Sequence, residues 1–159
     1  MDFKEVVEIL TRQNKTISTM ESCTGGGVAN AITNVEGASE VLKFSAVTYS
    51  NEYKVKMGVA KDVIDQYTVY SQETADEMSK NISRFANSDF GVGITGKLNK
   101  VDIQNPGAGE DNVVFISIYD RKCDTYYREK IVVGCGSRSK NKDEIIEKII
   151  VMLLQVIKK

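Results

Sequence analysis

The sequence predicts an α/β layered domain built on a mixed β-sheet. Three observations carry that expectation. Helical periodicity occupies both ends of the chain, β-type runs alternate with helical runs between them, and two β-rich runs late in the chain are joined by a short polar turn. A pair joined so tightly is antiparallel, whereas strands separated by helices pair in parallel, so the sheet is expected to be mixed.

The elements follow in order. Residues 2–13 read as a helix, with Phe3, Val6, Val7 and Leu10 on one stripe, Asp2 as its cap and Glu5 in the capping-box position. Thr16 to Met20 is a short β-rich run. The turn Ser22-Cys23-Thr24-Gly25-Gly26-Gly27 leads into a helix from Val28 to Thr33. Phe44 to Tyr49 reads as a strand, and Asn51 to Met57 and Lys61 to Gln66 as short helices. Ser71 caps a helix reaching Ala86, with Thr74, Met78, Ile82 and Phe85 on one side. Phe90 to Thr95 is a buried-type strand, and residues 99–112 form a polar loop. Val113 to Tyr119 and Tyr126 to Val133 pair through a turn at Asp120 to Asp124. A helix from Lys142 to Ile157 closes the chain, with Ile145, Ile146, Ile149, Ile150, Leu153 and Val156 toward a core.

Composition narrows the chemistry. The 159 residues suit one domain spanning 1–159. Formal charge is -1 with both signs interspersed, and no basic patch marks a nucleic-acid partner. The longest strongly apolar run, Ile149 to Leu154, is too short for a bilayer, so no membrane role is expected. No signal peptide is visible after Met1. Cys23, Cys123 and Cys135 are an odd set without C-x-x-C spacing, which fits a reduced, cytoplasmic protein. There is no histidine. Ser-His-Asp and Cys-His pairs, His-ligated zinc and a histidine base are therefore excluded within this chain. Acid–base chemistry near neutral pH falls to Lys, Tyr, Cys or a carboxylate.

Gly91-Val92-Gly93-Ile94-Thr95-Gly96-Lys97 matches G-x-G-x-x-G and nearly matches a P-loop. Both motifs need the glycines in a loop that opens a helix. Here they alternate with apolar residues inside a strand, and Leu98 stands where a Mg²⁺-binding Ser or Thr belongs. A strand with small residues under a closely packed element is the better reading, and an NTP-dependent enzyme is disfavoured.

Two strand ends carry residues of chemical interest. Ser22 lies at a strand-to-helix turn, where a hydroxyl projects into a crevice and the following N–H groups are free to hold an oxyanion or phosphate. The competing reading is that Ser22 or Thr24 only caps the helix. Cys23 is either a rival nucleophile or a small buried residue. A serine without histidine needs another base, and a desolvated lysine is the leading choice. Spacing alone does not select one. Tyr49-Ser50-Asn51-Glu52-Tyr53-Lys54 follows an apolar strand, so Tyr49 and Lys54 could converge on Ser22; otherwise Lys54 is a solvated helix lysine.

Together, Glu21-Ser22-Cys23-Thr24-Gly25-Gly26, Val35-Glu36-Gly37-Ala38-Ser39 and Val47-Thr48-Tyr49-Ser50-Asn51-Glu52-Tyr53-Lys54 resemble the CinA C-terminal domain family. Its stand-alone form is known as nicotinamide mononucleotide deamidase. Val69-Tyr70-Ser71, Ile94-Thr95-Gly96 and Gly136-Ser137-Arg138 are similar to further family motifs, in order. The resemblance implies a three-layer α/β/α sandwich. It implies hydrolysis of the carboxamide of nicotinamide mononucleotide, or a related amide, with no cofactor and no metal. It also implies a homo-oligomer. Carried over, Ser22 is the nucleophile, Lys54 its base and Tyr49 a helper in the same hydrogen-bond network. Thr24, Gly25, Gly26, Asn51, Thr95, Gly96 and Arg138 are substrate-side residues.

The chain departs from the family pattern in four places. Lys97-Leu98-Asn99-Lys100-Val101-Asp102 replaces an Ala-Gly-Pro-Gly-rich loop, and Asp111-Asn112-Val113 replaces Gly-Thr-Val. Ser137 stands for Asp, and the segment after Lys54 is one residue shorter. The altered loop implies either a changed substrate or a retained nucleotide-binding or interaction scaffold with weak catalysis.

Overall fold

A computed structural model describes residues 1–99, 102–134 and 136–159. Lys100, Val101 and Cys135 lie outside the described residues. The elements are α1 (Lys4–Gln13), β1 (Ile17–Glu21), α2 (Gly27–Thr33), a 3-10 turn (Ala38–Glu40), β2 (Leu42–Val47), α3 (Asn51–Lys56), α4 (Lys61–Tyr67), α5 (Gln72–Ala86), β3 (Phe90–Gly96), β4 (Val113–Asp120), β5 (Thr125–Val132) and α6 (Arg138–Ile157).

The five strands form one sheet in the order β2-β1-β3-β4-β5. β1 pairs in parallel with β2 and β3, while β3–β4 and β4–β5 are antiparallel. Side-chain alternation sorts the layers. Ile17, Val92, Ile94, Val114, Ile116 and Ile118 face a large core shared with Val6 and Leu10 of α1 and with Ile145, Ile149 and Leu153 of α6. Met20 faces the other way, toward Val59 and toward Met78 and Ile82 of α5. Helices thus cover both faces of the sheet.

The glycines of β3 are explained by this packing. A Cβ on Gly91 would stand 1.9 Å from the Ser79 carbonyl oxygen, and one on Gly93 would stand 2.4 Å from that of Ala75. The backbone of α5 lies directly on the strand, so the glycine run is a packing surface and not a phosphate loop. Ser117 of β4 continues the small-residue floor and pairs with Ser79 at 2.9 Å.

Several details differ from the sequence expectations. Phe85 is exposed at 66%, tilted against Phe44 with ring centroids 5.3 Å apart. Thr74, Met78 and Ile82 are buried as expected, and the buried face also includes Ala75, Ser79 and Ser83, small residues where the backbone of α5 lies against β3. Asp2 accepts from the Lys4 N–H at 2.9 Å, but α1 has no side-chain bond at its cap position, Phe3. Glu5 pairs instead with Lys158. α6 starts four residues earlier than its apolar periodicity indicates, because Ser137 caps it through the Lys140 N–H while its first turn is polar.

The topology sets the site. Three parallel strands end on one edge, at Glu21, Val47 and Gly96. β4 starts beside the end of β3, with Val114 opposite Gly96, and β5 ends beside that start, with Val132 opposite Val113. The Ser22 turn, the start of α3, the loop after β3 and the start of α6 therefore meet at a single sheet edge.

Candidate active site

The Ser22 turn is built around Glu21. This carboxylate is fully buried and accepts from Thr24 Oγ1 at 2.6 Å, the Val28 N–H at 2.9 Å and the Ala29 N–H at 3.0 Å. It satisfies orphan donors at the start of α2, so neither Ser22 nor Thr24 caps that helix through its side chain. The Ser22 N–H donates to the Ile94 carbonyl at 3.0 Å, which ties the turn to β3. Gly25 and Gly26 take φ of 60° and 94°, left-handed backbone that glycine adopts without strain.

Lys54 is the one buried residue of α3. Ser50 fixes the start of that helix by accepting from the Tyr53 N–H at 3.2 Å, which turns Lys54 inward one turn later. Lys54 is 1% exposed. Its Nζ lies 2.7 Å from the Thr48 carbonyl and 3.0 Å from Ser22 Oγ. Burial disfavours the ammonium form, and the Lys54 pKa falls to about 8. In the neutral form the amine keeps its bond to Thr48, and its lone pair can accept the Ser22 proton. The surface-lysine alternative is thereby excluded.

Cys23 is buried beside this pair, and burial pushes its thiol up to about 12. It is protonated at neutral pH and is not a competing nucleophile. Among the described residues, the backbone N–H groups of Cys23 and Thr24 donate to no oxygen, while the Gly25 N–H already donates to the Ser22 carbonyl at 3.0 Å. The Cys23 N–H lies against its own thiol, so the Thr24 N–H is the least engaged donor of the turn.

A cavity of about 230 Å³ opens beside Ser22 and is lined by Cys23, Tyr49, Gly96, Asp102 and Arg138 among others. A larger depression of about 770 Å³ lies between α1 and residues 34–40, away from Ser22 and Lys54.

Residues 3–157 match the CinA C-terminal domain. The chain belongs to this family. A relative from Thermoanaerobacter pseudethanolicus that carries the name competence-damage inducible protein is 40% identical over 143 residues, covering 87% of this chain and 33% of the relative. A CinA-like protein from Kosmotoga olearia is 48% identical over 92 residues, 57% of this chain and 22% of that protein. The chain thus spans about a third or less of the length of these curated relatives. The competence/damage inducible protein CihA of Agrobacterium tumefaciens shares the fold at a TM-score of 0.89 and 23% identity, covering 98% of this chain and 92% of that one. A CinA superfamily protein of Escherichia coli does so at 0.86 and 21%, covering 96% and 87%.

Other sequence-selected residues of this CinA domain have definite places. The Tyr49 hydroxyl accepts from Arg138 Nη2 at 3.0 Å, and no described hydrogen bond joins it to Ser22 or Lys54. Arg138 also donates to the Leu98 carbonyl. Thr24 is directed at Glu21, and Thr95 Oγ1 donates to the Val69 carbonyl at 2.6 Å, so both hydroxyls are engaged inside the fold. Gly96 lines the cavity, and a Cβ there would meet Val114 within 2.9 Å. Asn51 and Asn105 exchange side-chain amide bonds at 2.8 and 3.1 Å, which fastens the altered loop to the start of α3.

Sequence reasoning gave no role to Glu21, Tyr70 or Asp102. Tyr70 donates to Asp102, which also accepts from Asn105 Nδ2 and from the Gln104 N–H, both at 2.9 Å. Burial raises the Asp102 pKa, but these donors outweigh it and hold the carboxyl below its usual range. Glu21 did have a signal, an acid inside a β-rich run immediately before the serine. The Tyr70–Asp102 contact joins residues 32 apart and left no local trace.

Proposed function

We propose that this CinA domain is an amidohydrolase that converts nicotinamide mononucleotide, or a related amide, to the acid and ammonia by a Ser-Lys mechanism. The observation that carries the reading is the buried 3.0 Å contact between Lys54 Nζ and Ser22 Oγ. Neutral Lys54 takes the Ser22 proton as Oγ attacks the amide carbon. The oxyanion forms against the N–H groups of the Ser22 turn, that of Thr24 foremost. Lys54 returns its proton to the leaving nitrogen, the C–N bond breaks, and ammonia departs. Water, deprotonated by Lys54, then cleaves the acyl-Ser22 ester and frees the acid.

The reading includes a nucleotide held partly by Arg138, a cytoplasmic setting and a homo-oligomeric state. Exposed Phe44 on edge strand β2, with Phe85 tilted against it, supports self-association; light scattering of the purified protein tests it. The described helices include none long and apolar enough to cross a membrane. The decisive assay is ammonia release from nicotinamide mononucleotide. Ser22→Ala is expected to abolish it, and activity within severalfold of the parent sinks the proposal.

A second reading is a nucleotide-binding domain with little turnover. It is favoured by the size of the cavity, which is lined in part by Asp102, Ile103 and Gln104 and holds about 230 Å³, below the usual range for small-ligand sites. Saturable binding without ammonia release would select it.

A further inference from the structure

The altered loop brings a charge to the site. Asp102 lines the same cavity as Ser22 and Arg138, and its field acts on Lys54. Its Oδ2 accepts from Tyr70 and Asn105, and its Oδ1 from the Gln104 N–H. These neutral donors fix the carboxylate without neutralising it. Among the described residues no Lys or Arg forms an ion pair with Asp102. A carboxylate held ionised in a half-buried cavity, without a cation of its own, is complementary to a positive ligand group. Arg138 supplies the opposite sign within the same cavity.

We propose that Asp102 is a specificity-determining residue that selects amides carried on a cationic ring over the same amide on a neutral ring. The proposal rests on the amidase reading for its substrate and deepens it. It also has a consequence for the base. Asp102 opposes loss of the Lys54 proton, so a cationic ring seated against Asp102 offsets that field and favours the neutral amine when the base is needed.

Nicotinamide mononucleotide and its 1,4-dihydropyridine form carry the same amide and phosphate but differ in ring charge. The parent is expected to favour the cationic form in kcat/KM. Asp102→Asn should reduce that preference about tenfold through loss on the cationic form alone, the scale of one charge contact. Asp102→Glu should keep most of it. An unchanged ratio in Asp102→Asn overturns the proposal, as does an equal loss on both forms. Calorimetric titration of both nucleotides into Ser22→Ala protein, with and without Asp102→Asn, separates this from the amidase reading. Ring-charge preference in binding that is lost with Asp102→Asn, without ammonia release by the parent, ends the amidase reading and upholds the role of Asp102. Equal binding of the two forms, or no binding of either, overturns that role.

Discussion

Lys54 Nζ donates to Ser22 Oγ at 3.0 Å and to the Thr48 carbonyl at 2.7 Å inside the fold, and no described carboxylate forms an ion pair with it. A buried lysine so placed is destabilised as a cation, and in the proposed mechanism it is the base. This relationship fixes the pH behaviour. With a pKa near 8, roughly one lysine in ten is neutral at pH 7, against fewer than about one in a thousand at the ordinary value. We expect kcat/KM to rise about tenfold per pH unit below pH 8 and to level above it. A profile flat from pH 6 to 9 contradicts Lys54 as the base.

The same shift has a cost in stability. Between about pH 8 and 10.5 the unfolded chain holds a proton on Lys54 that the folded chain has lost, so stability rises with pH across that window. Below pH 8 both states are protonated and the burden is largest, on the order of 3 kcal/mol. Lys54→Met removes it but leaves the Thr48 carbonyl without a donor, a loss of about 1–3 kcal/mol. The variant should therefore be as stable as the parent in urea at pH 7 or up to about 2 kcal/mol more stable, and its stability should vary less between pH 8 and 10.5. A loss of several kcal/mol at pH 7 would sink the argument.

Much of this was legible from the residues and some was not. Strand and helix periodicity located the elements, and Ser71 marked the start of α5. The absence of histidine left lysine as the leading base. The polar first turn of α6 has no apolar repeat, so its start was hidden. Phe85 fits the helical stripe, but it meets the sheet at exposed Phe44 of edge strand β2 and stays exposed. Lys54 could be nominated from its place after a strand, yet its burial depends on how α3 sits on the sheet edge. The tie from Asp102 to Tyr70 depends on the path of a long loop, which no local pattern encodes.

Glu21 is a positioning residue that acts through the Ser22 turn. Glu21→Ala strips acceptors from the Val28 and Ala29 N–H groups and from Thr24 Oγ1, and should cost about 3 kcal/mol in chemical denaturation. Glu21→Gln keeps the shape but turns an N–H₂ toward backbone donors, so about 2 kcal/mol is expected. Lowered amidase kcat should accompany both. Wild-type stability in Glu21→Gln would refute this account of the turn.

The two described cysteines differ in exposure. Cys123 is exposed, whereas Cys23 is buried with its pKa raised to about 12. Iodoacetamide at pH 8 should modify Cys123 in the folded protein and leave Cys23 intact until denaturant is added. Peptide mapping by mass spectrometry reads the outcome. Rapid labelling of Cys23 would reopen it as a nucleophile.

Gly91 tests whether the β3 glycines serve packing. Its alanine Cβ would fall 1.9 Å from the backbone oxygen of Ser79, which no rotamer change relieves, so α5 must move off the sheet. Gly91→Ala should cost about 3 kcal/mol or more. Gly37 is the control, since a Cβ there meets nothing within 4 Å and only its φ of 85° opposes substitution. Gly37→Ala should cost about 1–2 kcal/mol. If the two variants melt together, packing of α5 on β3 is not what the glycine run provides. If Gly91→Ala alone is strongly destabilised, the resemblance to a phosphate loop is a by-product of close helix-on-strand packing.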